Sequence, residues 1–269
     1  MQTQLDQILA HTLLELTRRK AAANLPHLEH RAAAHKPRGF ARALLAHAAS
    51  GPAIIAEIKK ASPSRGLIRA DFRPSDLAPA LEAAGAAALS VLTDTEFFGG
   101  SLADLEVVSA AVTIPCLRKD FILDPFQILE ARASGADAVL LIVAALADDR
   151  LQLLHDFATD LGLDVLVEAH DHTEIDRAIQ LGANIIGVNS RDLRNFTVKT
   201  ESLLFMAEAL LAEPGIIRVA ESGIRTAEDV ASLRSAGYHA FLVGEALMRQ
   251  PEPAAALALL LDRDYSQNI

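Results

Sequence analysis

The sequence predicts an α/β protein of the (β/α)8 TIM-barrel class with an N-terminal helical extension. Three observations carry this expectation. From residue 50 onward, short β-branched runs alternate with longer Ala/Leu-rich amphipathic stretches. The strand-like runs are mostly continuous in apolar residues rather than alternating, as suits parallel strands packed on one face and covered on the other. Four helical stretches end in Gly85, Gly135, Gly182 and Gly237 just before the next strand. Glycine suits the left-handed residue that follows a helix.

The elements follow in order. Residues 1–50 read as helical, with a basic, proline-containing connection (HKPRGF), and form an extension that packs on the barrel, the mouth being one candidate place. Residues 51–269 form the barrel itself, in one structural domain with the extension. Strands are expected at 54–58, 88–92, 114–119, 138–143, 164–169, 185–189, 216–220 and 240–244. Helical segments between them include PSDLAPALEAAGA, SLADLEVVSAAV, DPFQILEARASGA and LADDRLQLLHDFATDLG. The chain length suits one barrel of about 250 residues, and right-handed crossovers close eight such units. An open doubly wound sheet is the alternative, but no Gly-x-Gly-x-x-Gly turn follows the first strand.

Composition narrows the function. Lys plus Arg number 25 and Asp plus Glu 35, a net charge of −10. That balance argues against a nucleic-acid partner, which needs a basic footprint. A cleft can still be locally positive and hold a small anion. No uncharged apolar run of about 18 residues appears, so no membrane partner is expected. The first residues lack the basic and apolar regions of a secretion signal. Cys116 is the only cysteine, so no internal disulfide forms, and a cytoplasmic location is expected. Lying within an apolar strand, Cys116 reads as packing rather than as a nucleophile. His170 and His172, two residues apart in a loop, lack the other ligands of a metal site, and none is expected.

Active sites of parallel barrels lie at the C-terminal strand ends. Those ends carry nearly all the polar groups that interrupt the apolar runs: Glu57, Lys59 and Ser62, then Lys119, Glu168, Asn189, Glu221 with Ser222, and Gly244 with Glu245. One such residue is ordinarily solvated, but two lysines and three glutamates converging on one mouth would be costly without a purpose. A lysine beside another cation is expected to lose proton affinity and become a better acid near neutral pH. The loops after the seventh and eighth strands often grip phosphate, and Ser222-Gly223 and Gly244-Glu245 fall there. Phe98 and Phe121 follow the second and third strands, where an aromatic ring can pack.

At these residues the chain resembles the indole-3-glycerol phosphate synthase family. The resemblance runs through IAEIKKASPSRG (55–66), SVLTDTEFFGGSL (90–102), LRKDFILDPFQILEARASGADAVLLI (117–142), LVEAHD (166–171), IIGVNSRDL (185–193), VAESGI (219–224) and LVGEALM (242–248). It implies closure of an indole ring with loss of carbon dioxide and water, without metal or organic cofactor. It implies that Lys119 acts as general acid and that Glu168 serves the dehydration. Lys59 would bind the substrate carboxylate, while Glu57, Asn189 and Glu221 orient the substrate. Ser62, Ser222, Gly223, Gly244 and Glu245 would hold the phosphate, and Phe98, Phe121 and Leu140 the anthranilate ring. Ala246 departs from the family, which commonly has a small hydroxyl residue there. The expected partner is a small phosphorylated molecule, with the chain a monomer or weak homo-oligomer. The loop KKASPSRG, lacking apolar anchors, is expected to be mobile.

Overall fold

The computed structural model describes residues 3–262, so the last residues assigned to the barrel, 263–269, lie outside the described residues. The strands are β1 (Ala53–Ile58), β2 (Ala61–Ser62), β3 (Gly66–Leu67), β4 (Ala88–Leu92), β5 (Cys116–Lys119), β6 (Ala138–Ile142), β7 (Asp164–Ala169), β8 (Ile185–Asn189), β9 (Ile217–Glu221) and β10 (Ala240–Val243). Eight of them close a barrel in the order β1-β10-β9-β8-β7-β6-β5-β4. Its neighbouring strands are all parallel, and helices lie between them along the chain. Each expected barrel strand is present. The third begins at Cys116 rather than at residue 114, and the seventh runs one residue further, to Glu221. The remaining pair, β2 and β3, is a short antiparallel hairpin over residues 61–67, in a stretch expected to be loop. Gly66, at φ 64°, supplies the left-handed residue of its turn.

Side chains along a strand alternate between faces, and two apolar layers result. Ile54, Ala56 and Ile58 face outward into the layer shared with the helices, as do Val139, Leu141, Val165 and Val167. Ala53, Ile55, Leu117, Leu140, Leu166, Ile185, Val219 and Leu242 fill the barrel interior. Both layers are apolar, which is why the strands read as unbroken apolar runs.

The N-terminal segment forms α1 (Gln4–Ala22), α2 (Leu25–Ala34) and α3 (Phe40–Ala48). Thr3 starts α1 with a reciprocal capping box to Asp6, which satisfies two free N–H groups of the first turn. The backbone N–H of Gln4 donates to Arg194 O beyond β8, and His11 stacks edge-on against Phe97 beyond β4, with centroids 5.6 Å apart. Further along, Lys20 Nζ lies 3.0 Å from Asp124 Oδ1 beyond β5. These contacts lay α1 across the rim of the mouth. Then α2 packs against the helix Pro125–Ala133 and α3 against β1, β4 and β9. Phe40 and Leu44 of α3 are fully buried and belong to the interior layer, closing the opposite end of the barrel. Burying each stabilises by about 1.5–3 kcal/mol. The extension therefore reaches the mouth and also plugs the floor.

Candidate active site at the barrel mouth

Period two brings the polar strand ends together. Residues 53, 55 and 57 share one face of β1, and Lys59, one residue past its end, continues the inward row of Ala53, Ile55 and Glu57. The same register turns Lys119, Leu140, Glu168, Asn189, Glu221 and Leu242 into the barrel. All of these line one cavity of about 960 Å³ at the C-terminal strand ends. Two glycines make room for the carboxylates. A Cβ at Gly187 would overlap Glu221 Oε1, and one at Gly244 would overlap Glu57 Oε1.

The charged groups interlock. Lys59 Nζ lies 2.5 Å from Glu57 Oε1. Lys119 Nζ lies 3.1 Å from Glu168 Oε2 and 3.8 Å from Glu221 Oε2. Glu168 is fully buried and Glu221 almost so. Burial opposes the charge on Lys119, but Glu168, Glu221 and Glu57 outweigh it and hold the ammonium well above its ordinary range. This corrects the expectation of a lysine weakened by a neighbouring cation: its near neighbours in space are carboxylates. Burial likewise opposes ionisation of Glu168, yet Lys119 and the adjacent His170 keep it charged. Glu221 goes the other way. Its burial, together with the charge on Glu168, pushes its carboxyl well up. Glu57 is held low, Lys59 and Lys119 overcoming its burial. A pair of carboxyls driven apart in this way can divide accepting and donating roles.

The rim beside β9 and β10 is shaped for an anion. Ser222 and Gly223 both have positive φ, 66° and 79°, so the chain turns sharply after Glu221. Ser222 is a non-glycine residue in that region, an arrangement that persists only where its surroundings enforce it. The Ser190 hydroxyl donates to Ser222 O at 3.1 Å. Ser222, Gly223, Gly244, Glu245 and Ala246 all line the cavity. Ser62 does not appear on its wall: it sits buried in the hairpin, and Ser64 lines the cavity instead. Phe98 and Phe121 form the opposite wall with Leu140, their ring centroids 6.3 Å apart.

Sequence reasoning missed Arg191, whose backbone N–H donates to Asn189 Oδ1 at 3.0 Å and whose guanidinium reaches toward Glu245 at 3.7 Å. It also missed Leu193 and Phe196, which line the same cavity. Its spacing two residues beyond Asn189 is the one signal that places Arg191 there. Six cationic side chains line the cavity (Lys59, Arg65, Lys119, Arg191, Arg225 and Arg249) against six acidic ones. In a chain of charge −10 the cavity lining is thus balanced in charge rather than acidic. Among the described residues no group of three or more His, Cys, Asp or Glu is arranged to hold a metal ion. Cys116 is buried in the outer layer, and burial pushes its thiol up to about 12.

A closed parallel barrel, with interlocked acid and base groups at its mouth beside an anion-ready rim, defines an enzyme acting on a small phosphorylated molecule. The profile of the family "Indole-3-glycerol phosphate synthase" matches residues 5–260. An indole-3-glycerol phosphate synthase of Koribacter versatilis is 56% identical over 261 residues, 97% of this chain and all of that one. Another, from Acidithiobacillus ferrooxidans, is 50% identical over 94% of this chain and 96% of its own. The chain belongs to the indole-3-glycerol phosphate synthase family, and it is a carboxy-lyase of tryptophan biosynthesis. More distant likenesses show the fold alone. A mandelate oxidase mutant superposes with TM-score 0.62 at 19% identity, covering 79% of this chain and 72% of that one. KGPDC from Streptococcus mutans does so with TM-score 0.59 at 12% identity, over 79% and 97%. Among the described residues no helix is long and apolar enough to cross a membrane.

Proposed function

We propose that this cavity closes the indole ring of 1-(2-carboxyphenylamino)-1-deoxyribulose 5-phosphate, with loss of carbon dioxide and water. The observation that carries the assignment of roles is the placement of Lys119 between Glu168 and Glu221, opposite the Glu57–Lys59 pair. Attack of the aromatic carbon on the ribulose carbonyl breaks aromaticity, so the carbonyl oxygen needs a placed proton donor. Lys119 enters the cycle carrying its proton, because the carboxylates of Glu168 and Glu57 hold it there, and delivers it as negative charge builds on that oxygen. Carbon dioxide then leaves as the ring regains aromaticity, with no electron sink required.

Dehydration needs a base for the departing proton and an acid for the hydroxyl. Glu168, ionised at rest, is suited to the first role. Lys59 binds the substrate carboxylate and is a second proton source for the leaving hydroxyl. Glu57, Asn189 and Glu221 orient the substrate and polarise these groups. Ser222, Gly223, Gly244 and Glu245 hold the phosphate through backbone N–H groups, with Ser64 of the hairpin turn on the same cavity. Phe98, Phe121 and Leu140 face the anthranilate ring. No metal or organic cofactor takes part.

The extension (1–50) and the barrel (51–269) work as one structural domain. The protein acts in the cytoplasm, as a monomer or weak homo-oligomer, without nucleic acid. Adding the substrate to purified, metal-free protein should produce indole fluorescence, and Lys119→Ala should abolish it. A folded wild-type protein that gives no signal would reject the assignment.

A further inference from the structure

Glu168 has a second neighbour that none of these roles uses. His170 follows it by two residues, one beyond the end of β7, and continues the row of Glu168. The helix His172–Gln180 begins just beyond, capped by Asp171, whose carboxylate accepts the Glu174 N–H at 2.9 Å. From the first turn of that helix the Glu174 side chain reaches back. Its Oε2 accepts the backbone N–H of His170 at 2.8 Å and lies 3.0 Å from His170 Nδ1. At the other end of the ring, Nε2 lies 3.2 Å from Glu168 Oε1, an ion-pair contact rather than an aligned hydrogen bond. The remaining oxygen of Glu168, Oε2, is the one that meets Lys119.

We propose that His170, braced by Glu174, is a positioning residue that fixes the orientation and the charge of Glu168 for the reaction. The inference rests on the acid–base reading of Glu168 given above. A neutral imidazole would turn one bare nitrogen lone pair toward a carboxylate oxygen at one end of the ring or the other. With a carboxylate at both ends, the doubly protonated imidazolium is the form that matches both neighbours. Although burial opposes it, contact with Glu168 and Glu174 keeps the ring protonated up to about 10. Glu168 thus has one cation per oxygen: His170 pins Oε1, leaving Oε2 at the lysine and the substrate. Without that pin, Glu168 would face the carboxyl of Glu221 with only Lys119 and Asn189 to offset it, and it would take up a proton more readily. The other charged groups near the ring are Asp171, in the same turn, and Asp192 with Arg194, in the loop beyond β8.

The test compares His170→Asn, Glu174→Gln and Glu168→Gln by kcat, KM and the pH profile of kcat/KM, with folding followed by circular dichroism. His170→Asn should lower kcat by about one to two orders of magnitude, part of the 10²–10⁴ that general acid–base groups supply. KM should hardly change, and the acidic limb of the profile should move up by about one pH unit. Glu174→Gln should shift that limb in the same direction by less. An unmoved acidic limb in both variants, with folded protein and loss confined to KM, overturns the proposal. If His170→Asn does not fold, Glu174→Gln decides alone, because it changes only a partly exposed carboxylate at the rim: a shifted limb supports the proposal and an unshifted one overturns it. Glu168→Gln separates the two levels. An active Glu168→Gln enzyme removes the acid–base reading and this proposal with it. An inactive one beside unmoved limbs removes only the role of His170.

Discussion

The two ends of the barrel each bury carboxylates, and they treat them oppositely. At the floor, Asp137 is fully buried and its acceptors are filled. Its Oδ1 takes the Arg38 N–H at 2.7 Å and faces His35 Nε2 at 3.2 Å, while Oδ2 takes the Cys116 N–H at 2.6 Å and Arg38 Nε at 2.9 Å. The same guanidinium donates to the carbonyls of Ser109 and Val112. At the mouth, Glu221 is equally buried, yet neither of its carboxylate oxygens has a hydrogen-bond partner, and Glu168 Oε1 has only the oblique contact with His170. Satisfied buried charge specifies one arrangement, whereas unsatisfied buried polar groups raise the energy of the resting state. The floor cluster ties the extension to the barrel. The mouth cluster is left ready to exchange partners with a substrate.

That contrast breaks most visibly at Glu168. Replacing it with Gln should lower turnover by about 10²–10⁴-fold while costing less stability than the loss of a floor carboxylate, since Glu57 and Glu221 still surround Lys119. Indole fluorescence and urea denaturation read the two quantities, and a large loss of stability would make the mouth cluster structural after all. Asp137→Asn should do the reverse. It strands Arg38 at the floor and should cost about 3–5 kcal/mol in urea, with turnover per folded molecule unchanged. Lost turnover at retained stability would mean that the floor participates in the chemistry. Gly187→Ala is smaller. The new methyl must displace the Glu221 side chain, and overpacking of this kind costs about 1–3 kcal/mol. Its signature should be a fall in kcat greater than the loss of stability accounts for; unchanged kinetics would show that Glu221 is free to move.

The mouth was easier to read in the sequence than the floor, for physical reasons. Glu57, Lys119, Glu168, Asn189 and Glu221 interrupt apolar runs at strand ends, and period two alone then turns them inward. Arg191, Leu193 and Phe196 come from an irregular loop, where no periodicity tells a cavity wall from a surface. The hairpin at 61–67 escaped because SPSR offers neither alternation nor an apolar run. An amphipathic pattern in residues 4–48 announces helices that pack on something, but it does not say at which end of the barrel. Contacts distant in sequence, such as Arg38 with Asp137, 99 residues apart, and Phe40 and Leu44 with the barrel interior, fix α3 at the floor. The direction of the Lys119 shift was misread because the sequence offers Lys59 as its companion cation, while the fold sets carboxylates closer.

Acidification separates the two ends through opposite signs. Asp137 is held below the ordinary carboxylate range because His35, Arg38 and the Cys116 N–H overcome its burial. Its contribution is therefore present above the unfolded value near 4 and lost as pH falls through the lower, folded value. Asp94, on the mouth wall, is pushed up to about 6 by burial, the Phe97 N–H opposing and Asp120 adding to the rise. A raised carboxyl contributes fully below the unfolded value, and that contribution disappears as pH rises through about 6. Between pH 6 and pH 4 the mouth should thus gain stability that the floor does not yet lose. Asp94→Asn should flatten this rise, by at most about 2 kcal/mol because solvent enters the cavity and one pKa unit is worth about 1.4 kcal/mol. It should leave the steeper fall below pH 4 in place. Urea midpoints for wild type and Asp94→Asn, taken at half-unit steps from pH 3 to 7, would show it. Parallel curves across the window from 6 to 4 would mean that Asp94 titrates alike in the folded and unfolded chains, and that the mouth's strain lies wholly in Glu168 and Glu221.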